Sequence, residues 1–238
     1  MNYVENFSLE QKIVYHIILR SINMKDPTLY NGKIGIAIAF FEYGRYKKED
    51  ACIDFADNLL NDFLSYVDNG IPYTFAYGAS GISWGIEYLM QKGFISIDCS
   101  HTCEDLDQII IRTDLRRLPD LSIEKGIEGL LHYILMRLKG ASCRQETIPF
   151  DYSYLMKMEQ VLLSLQPNRV TINMKQLINS FLTYMSTHNI QYNVDIHSLY
   201  SSINVTDFDF YTFHIGLNNG LSGKLLDIVY AIEKNELI

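Results

Sequence analysis

Four Gly-x-x-Gly segments, each opening an apolar stretch, recur along this chain at a single period. They are Tyr30-Asn31-Gly32-Lys33-Ile34-Gly35-Ile36, Tyr77-Gly78-Ala79-Ser80-Gly81-Ile82, Lys125-Gly126-Ile127-Glu128-Gly129-Leu130 and Asn219-Gly220-Leu221-Ser222-Gly223-Lys224-Leu225. The first glycines stand at positions 32, 78, 126 and 220, leaving gaps of 46, 48 and 94 residues. The last gap is twice a period of about 47, so a degenerate unit should start near position 173, where Asn173 precedes a helical run. A sustained period of this length marks a repeat architecture, in which each unit buries the apolar face of its neighbour.

The two halves of each unit differ. After each glycine pair the sequence is apolar on nearly every side, as in Ile34 to Phe41 and in Leu130, Leu131, Tyr133, Ile134, Leu135, Met136 and Leu138. A helix apolar all round must be buried all round. The other half is amphipathic, with Cys52, Phe55, Ala56, Leu59, Leu60 and Phe63 at helical spacing between polar residues. The first helix belongs to this second set and opens on a Ser8-x-x-Gln11 capping box. Buried helices alternating with half-buried ones predict an inner and an outer layer. Outer helices are expected at 8–22, 50–67, 103–117, 151–165 and 193–203. Inner helices are expected at 33–46, 80–92, 127–139, 173–187 and 221–234. The fold class is therefore all-α, an α/α toroid or partial toroid of about five helical hairpins. Ile109-Ile110-Ile111 could form a strand, but Thr102-x-x-Asp105 reads as a helix start and the run is taken as helical. The 238 residues divided by the period give five units on one continuous core, hence a single domain over 1–238.

Composition narrows the partners. The formal charge is −8, and the densest basic groups are only Lys47-Lys48 and Arg116-Arg117, which argues against nucleic acid. With 48% hydrophobic residues the chain is not of a disordered type. The longest apolar run, Ile34 to Phe41, is too short to span a bilayer. The first residues carry no basic segment followed by an apolar one, and four cysteines make no disulfide framework. These features lead to the expectation of a cytoplasmic protein with no membrane partner.

Leu29-Tyr30-Asn31-Gly32-Lys33-Ile34-Gly35-Ile36-Ala37 and Gly78-Ala79-Ser80-Gly81-Ile82-Ser83-Trp84-Gly85 resemble the repeats of lanthionine synthetase C-like (LanC-like) proteins. The resemblance extends over nearly the whole chain through the period. It implies an α/α toroid whose inner helices start from Gly-rich loops facing a central cavity. It also implies zinc-activated addition of a peptide cysteine to a dehydrated Ser or Thr, closing a thioether ring. The family's zinc ligands are cysteine and histidine residues before or within such loops. Here the flanking residues are Tyr30 and Asn31, Ala76 and Tyr77, Glu124 and Lys125, Asn218 and Asn219, none of them a thiolate or an imidazole. The chain is thus read as a short, divergent member with no metal and no cofactor. Its expected role is to bind a peptide or to act as an accessory in ribosomal peptide modification. Partners would be a peptide substrate or a peptide-modifying enzyme, with an oligomer left open.

Two alternatives stand beside that reading. Inner-helix carboxylates Glu42, Glu87 and Glu128 could serve an α/α-toroid enzyme acting on carbohydrate. Alternatively, the chain could be a structural subunit whose toroid is completed by a partner or a second copy. No catalytic residue is assigned. The ligand-binding candidates are Tyr30, Asn31, Tyr77, Trp84, Glu87, Asn218 and Asn219. Tyr30, Tyr73, Phe75, Tyr77 and Trp84 gather aromatic groups around the first two loops, suited to a peptide or a sugar ring. Cys99-Ser100-His101-Thr102-Cys103 is the one local Cys/His cluster and lies at an outer-helix start. His132 sits on an inner helix, where it reads as a hydrogen-bonded core histidine, and His214 precedes the last loop without a cysteine partner.

Overall fold

A computed structural model describes residues 7–63, 70–96, 100–193 and 195–236. Of the Cys/His cluster, Cys99 and the side chains of Ser100, His101 and Thr102 lie outside the described residues. Among the described residues there are nine α-helices and no strand, in agreement with the all-α expectation. No helix of the described residues is long and apolar enough to cross a membrane.

The helices fall into two compact units, one from Met1–Asp68 with Asp195–Ile238 and the other from Asn69–Val194. The first holds α1 (Leu9–Ser21), α2 (Lys33–Lys47), α3 (Asp50–Phe63) and α9 (Leu221–Glu236). Its centre is α2, packed on α3 and on α9, while α1 packs on α9. Every residue of α2 from Lys33 to Phe41 is buried, as the all-round apolar pattern requires. The helix α1 begins at the expected capping box: Ser8 Oγ accepts from Gln11 N and Gln11 Oε1 accepts from Ser8 N. Its apolar stripe, Ile13, Val14 and Ile17, is buried.

The second unit holds α4 (Ala79–Gln91), α5 (Ser100–Ile111), α6 (Ile127–Arg144), α7 (Tyr152–Ser164) and α8 (Ile172–Thr187). Here α4 packs on α5 and α6, and α8 packs on α6 and α7. The triple isoleucine run ends α5 as helix. That helix stops short of 117 because the Asp114 side chain accepts from Arg116 N and starts a separate 3-10 turn, Leu115–Arg117.

Two expected elements differ. The segment 193–203 is not a helix: it contains one 3-10 turn, Ile196–Ser198, and residues 201–206 have no regular structure. Its apolar residues Ile196, Leu199 and Tyr200 are buried as their spacing implied. The backbone, however, bonds to side chains instead of to a helical ladder. Asp195 Oδ1 accepts from His197 N at 3.0 Å and Asn218 Oδ1 from Ser201 N at 2.7 Å. The second difference is α8, expected to be buried all round. It buries a single stripe, Met174, Leu177, Phe181 and Tyr184, and leaves Ile172 at its start exposed. Thr171 Oγ1, accepting from Met174 N, replaces the glycine loop at its start.

Candidate functional site

The four glycine loops share one construction. In each, the first helical N–H turns back to a carbonyl seven residues upstream: Lys33 to Asp26, Ala79 to Pro72, Ile127 to Asp120 and Leu221 to His214, at 2.8, 2.8, 3.1 and 2.9 Å. The glycines make that fold-back possible by being small. A Cβ on Gly32, Gly78 or Gly126 would overlap the carbonyl six residues upstream, and so would one on Gly35, Gly129 or Gly223. Gly32, Gly78 and Gly126 have φ of −111°, −157° and −111°, values open to any residue. Close approach, not unusual backbone angles, is therefore why glycine stands there. The first N–H of each helix is spent inside its own loop, which weakens the loops as anion cradles.

The repeat thus extends six residues before each first glycine, further than the glycine spacing reveals. Asp26 Oδ1 accepts from Thr28 N and Asp120 Oδ1 from Ser122 N. His214 Nδ1 holds the same place, accepting from Gly216 N at 3.2 Å. The histidine nearest a zinc-like position is thus a turn-forming side chain, and its ring packs where a Cβ on Gly220 would go. Cys52 and Cys103 are buried on α3 and α5. Among the described residues no three His, Cys, Asp or Glu side chains gather as a metal site. With phenol, amide and ammonium groups and the single Glu124 carboxylate flanking the loop glycines, the donor set does not suit zinc.

In the first unit the sequence candidates mostly serve the loops. Tyr30 is buried, its hydroxyl donates to the Leu199 carbonyl and its own carbonyl accepts from Leu217 N. Asn219 adopts φ of 51° and donates its N–H to Ser201 O, beside the Asn218 bond to the same residue. Asn31 is exposed.

In the second unit, α4 and α6 present a seam that the all-apolar pattern concealed. Trp84 and Tyr88 on α4 are stacked with ring centroids 5.3 Å apart. Trp84 is fully buried and its Nε1 donates to Tyr192 Oη at 3.2 Å. Tyr192 Oη also lies 2.8 Å from His132 Nδ1. An indole N–H can only donate, so Tyr192 Oη accepts from Trp84, and the imidazole tautomer sets the direction of its bond to His132. Burial pushes the His132 pKa down to about 4 and keeps the ring neutral. Glu128 lies one turn earlier on the same face of α6, half-buried, with its carboxyl pushed up by desolvation. Tyr77 is half-buried, its phenol pKa raised by burial and by Glu124. Further along, Met136, Lys139 and Cys143 continue that face of α6 and Gln91 and Lys92 that of α4. With Tyr192 they surround a cavity of about 370 Å³.

Glu87 has a different place. It is wholly buried, accepting from Arg144 Nη1 at 2.6 Å and from Arg137 Nη1 at 3.0 Å. Arg137 reaches on to Asp107 at 2.6 Å, and Asp107 accepts from the Tyr133 hydroxyl. A Cβ on Gly140 would overlap the Glu87 carboxylate, so that glycine makes the room the ion cluster fills. Engaged by two guanidiniums and closed to solvent, Glu87 has neither the access nor the freedom of an acid/base group for a glycan. No spacing rule could have found this cluster or the His132–Tyr192 pair, because their partners lie 26 to 60 residues apart.

A family model for lanthionine synthetase C-like proteins matches residues 23–237. No curated protein matches the chain significantly.

Proposed function

Since the chain belongs to the lanthionine synthetase C-like family, whose fold is the α/α toroid, we propose that it binds a peptide as an accessory in ribosomal peptide modification, without a zinc-dependent step. The observation that carries this reading is the state of the loops. All four keep their glycines and their fold-back hydrogen bonds, yet their side chains are Tyr30, Asn31, Tyr77, Lys125, Asn218 and Asn219. The scaffold is kept and the ligand set is exchanged. The histidine that precedes the last loop, His214, holds a turn together through Gly216 N. A peptide then has aromatic and amide groups of the loops to meet, such as Tyr77 in the second unit. A reduced, cytoplasmic setting fits the free thiols of Cys52, Cys103 and Cys143 among the described residues.

The test uses Trp84, the single tryptophan of the chain. Synthetic peptides containing Ser, Thr and Cys are titrated against the full chain while its emission is followed. Saturable change that is lost in the Tyr77→Ala variant supports the reading. Thioether formation on a dehydrated peptide would refute the accessory role.

A further inference from the structure

Helix α8 has the composition of a buried helix and the exposure of an outer one. From residue 160 to 193 the sequence has no Asp or Glu, and Arg169 and Lys175 are its only formal charges, in a chain of net charge −8. The helix α4 is equally poor in charge, with Glu87 alone, and burial of every residue from Ala79 to Leu89 accounts for it. Burial does not account for α8, which hides one stripe and exposes Ile172, Asn173, Gln176 and Asn179. A helix face open to water ordinarily carries charge. Depletion of charge with apolar residues left outside is the composition of a surface that meets another protein.

Where α7 ends and α8 begins, Leu162, Leu165, Pro167, Val170 and Ile178 line an apolar groove of about 260 Å³, with Lys175 and Asn179 as its polar members. These residues all fall within the described stretch 100–193. Leu163, beside the lining in sequence, is 68% exposed, and Ile172, which shares a face of α8 with Lys175 and Asn179, is 75% exposed. The groove is smaller than the roughly 300–1,000 Å³ of small-molecule sites and suits one or two inserted side chains. Lys175 stands in the first turn of α8, where the helix dipole favours a carboxylate, and that turn has no acidic residue. Neither Lys175 nor Arg169 is in an ion pair with a described residue, and Arg169 Nη2 donates to Pro119 O at 3.4 Å. Both cations are exposed, within reach of carboxylates brought by a partner.

We propose that this groove docks an acidic amphipathic segment of another protein. The apolar side chains of that segment enter among Leu162, Leu165, Val170 and Ile178, and its carboxylates meet Lys175 and Arg169. Charge selects this occupant over a second copy, because two copies joined through the same face would set like charges against each other. The site is separate from the glycine loops, since α8 starts on the Thr171 cap instead of on one, and it does not depend on the peptide reading of Tyr77.

The probe is a fluorescein-labelled helical peptide of about fifteen residues, with Leu at i, i+3, i+4 and i+7 and Glu between, read by anisotropy on the full chain. Two companion peptides replace every Glu by Lys or every Leu by Ala. The Leu/Glu peptide should bind saturably and each companion about tenfold more weakly. The Lys175→Glu, Arg169→Glu variant should bind the Leu/Glu peptide about tenfold more weakly and the Leu/Lys peptide more tightly, a gain that a misfolded chain would not show. Leu163→Ser and Ile172→Ser, both at exposed positions, should weaken the Leu/Glu peptide with an unchanged circular dichroism spectrum. No binding of the Leu/Glu peptide, equal binding of the Leu/Lys peptide, or no exchange of preference in the charge-reversed variant overturns the proposal. Loss of binding in Tyr77→Ala would assign the peptide to the loops and overturn it as well. So would a mass that doubles with concentration and returns to one chain in Ile172→Ser, which gives the face to a second copy.

Discussion

Helices α2 and α6 are both buried nearly throughout and both start from a Gly-x-x-Gly loop, yet they are held by different physics. The helix α2 is embedded through Ile34, Ile36, Ile38, Phe40 and Phe41, each fully buried, so its stability is spread over many interchangeable apolar contacts. Burial of α6 includes His132 and Arg137, and it depends on partners that must all be present: Tyr192 and Trp84 for the one, Glu87 and Asp107 for the other. An apolar helix tolerates small losses. A buried polar circuit does not, because a missing partner leaves a desolvated charge or dipole behind. The difference places the Glu87 ion cluster and the His132–Tyr192 pair on α6 and its partners in the second unit.

The sharpest break in this comparison is Glu87→Ala. It takes a buried carboxylate from Arg137, left with Asp107, and from Arg144, left with Glu146, and should cost about 3–5 kcal/mol, whereas Ile38→Val in α2 should cost about 0.5–1.5 kcal/mol. Urea unfolding of both variants measures the gap, and equal losses would remove the distinction.

Acid gives the next largest effect. The His132 pKa of about 4 lies below its ordinary 6.5, so the fold holds the neutral ring and unfolding releases it to take a proton. Its stabilising contribution is complete above about pH 6.5 and is lost as pH falls toward 4, on the order of 3 kcal/mol. Unfolding midpoints between pH 7 and pH 4.5 should therefore fall less steeply in His132→Asn than in the native chain.

At the loops the two helices should behave alike. Gly35→Ala meets the Leu29 carbonyl and Gly129→Ala meets the Ile123 carbonyl, and each should cost about 1–3 kcal/mol. A neutral result at either position would contradict the close-approach account of the repeat. The smallest effect is expected from Tyr30→Phe, about 1 kcal/mol for the lost bond to Leu199 O, read as a shift in thermal midpoint.

How much of this was legible in the sequence follows from the range of each interaction. The Ser8 capping box, the start of α2 after Gly32 and the burial of Ile34 to Phe41 are local consequences of spacing and composition, and all are present in the structure. Segment 193–203 was misread as helix because Ile196, Leu199 and Tyr200 keep a helical spacing while Asp195 and Asn218 claim its backbone N–H groups. Trp84 carries the right chemistry for a cavity mouth, but its neighbour Tyr192 lies 108 residues away and buries it. Only assembly brings such pairs together. The role of His214 was the one distant fact with a local signal: it aligns with Asp26 and Asp120, six residues before a first glycine, in a turn that all three build.

The central claim is that the loops are a retained scaffold with an exchanged ligand set, and elemental analysis of the full chain, purified without chelator and then dialysed against zinc, tests it most directly. The account predicts well under one zinc per chain and no zinc-dependent rise in thermal midpoint. One tightly held zinc per chain, lost on His214→Ala, would contradict it.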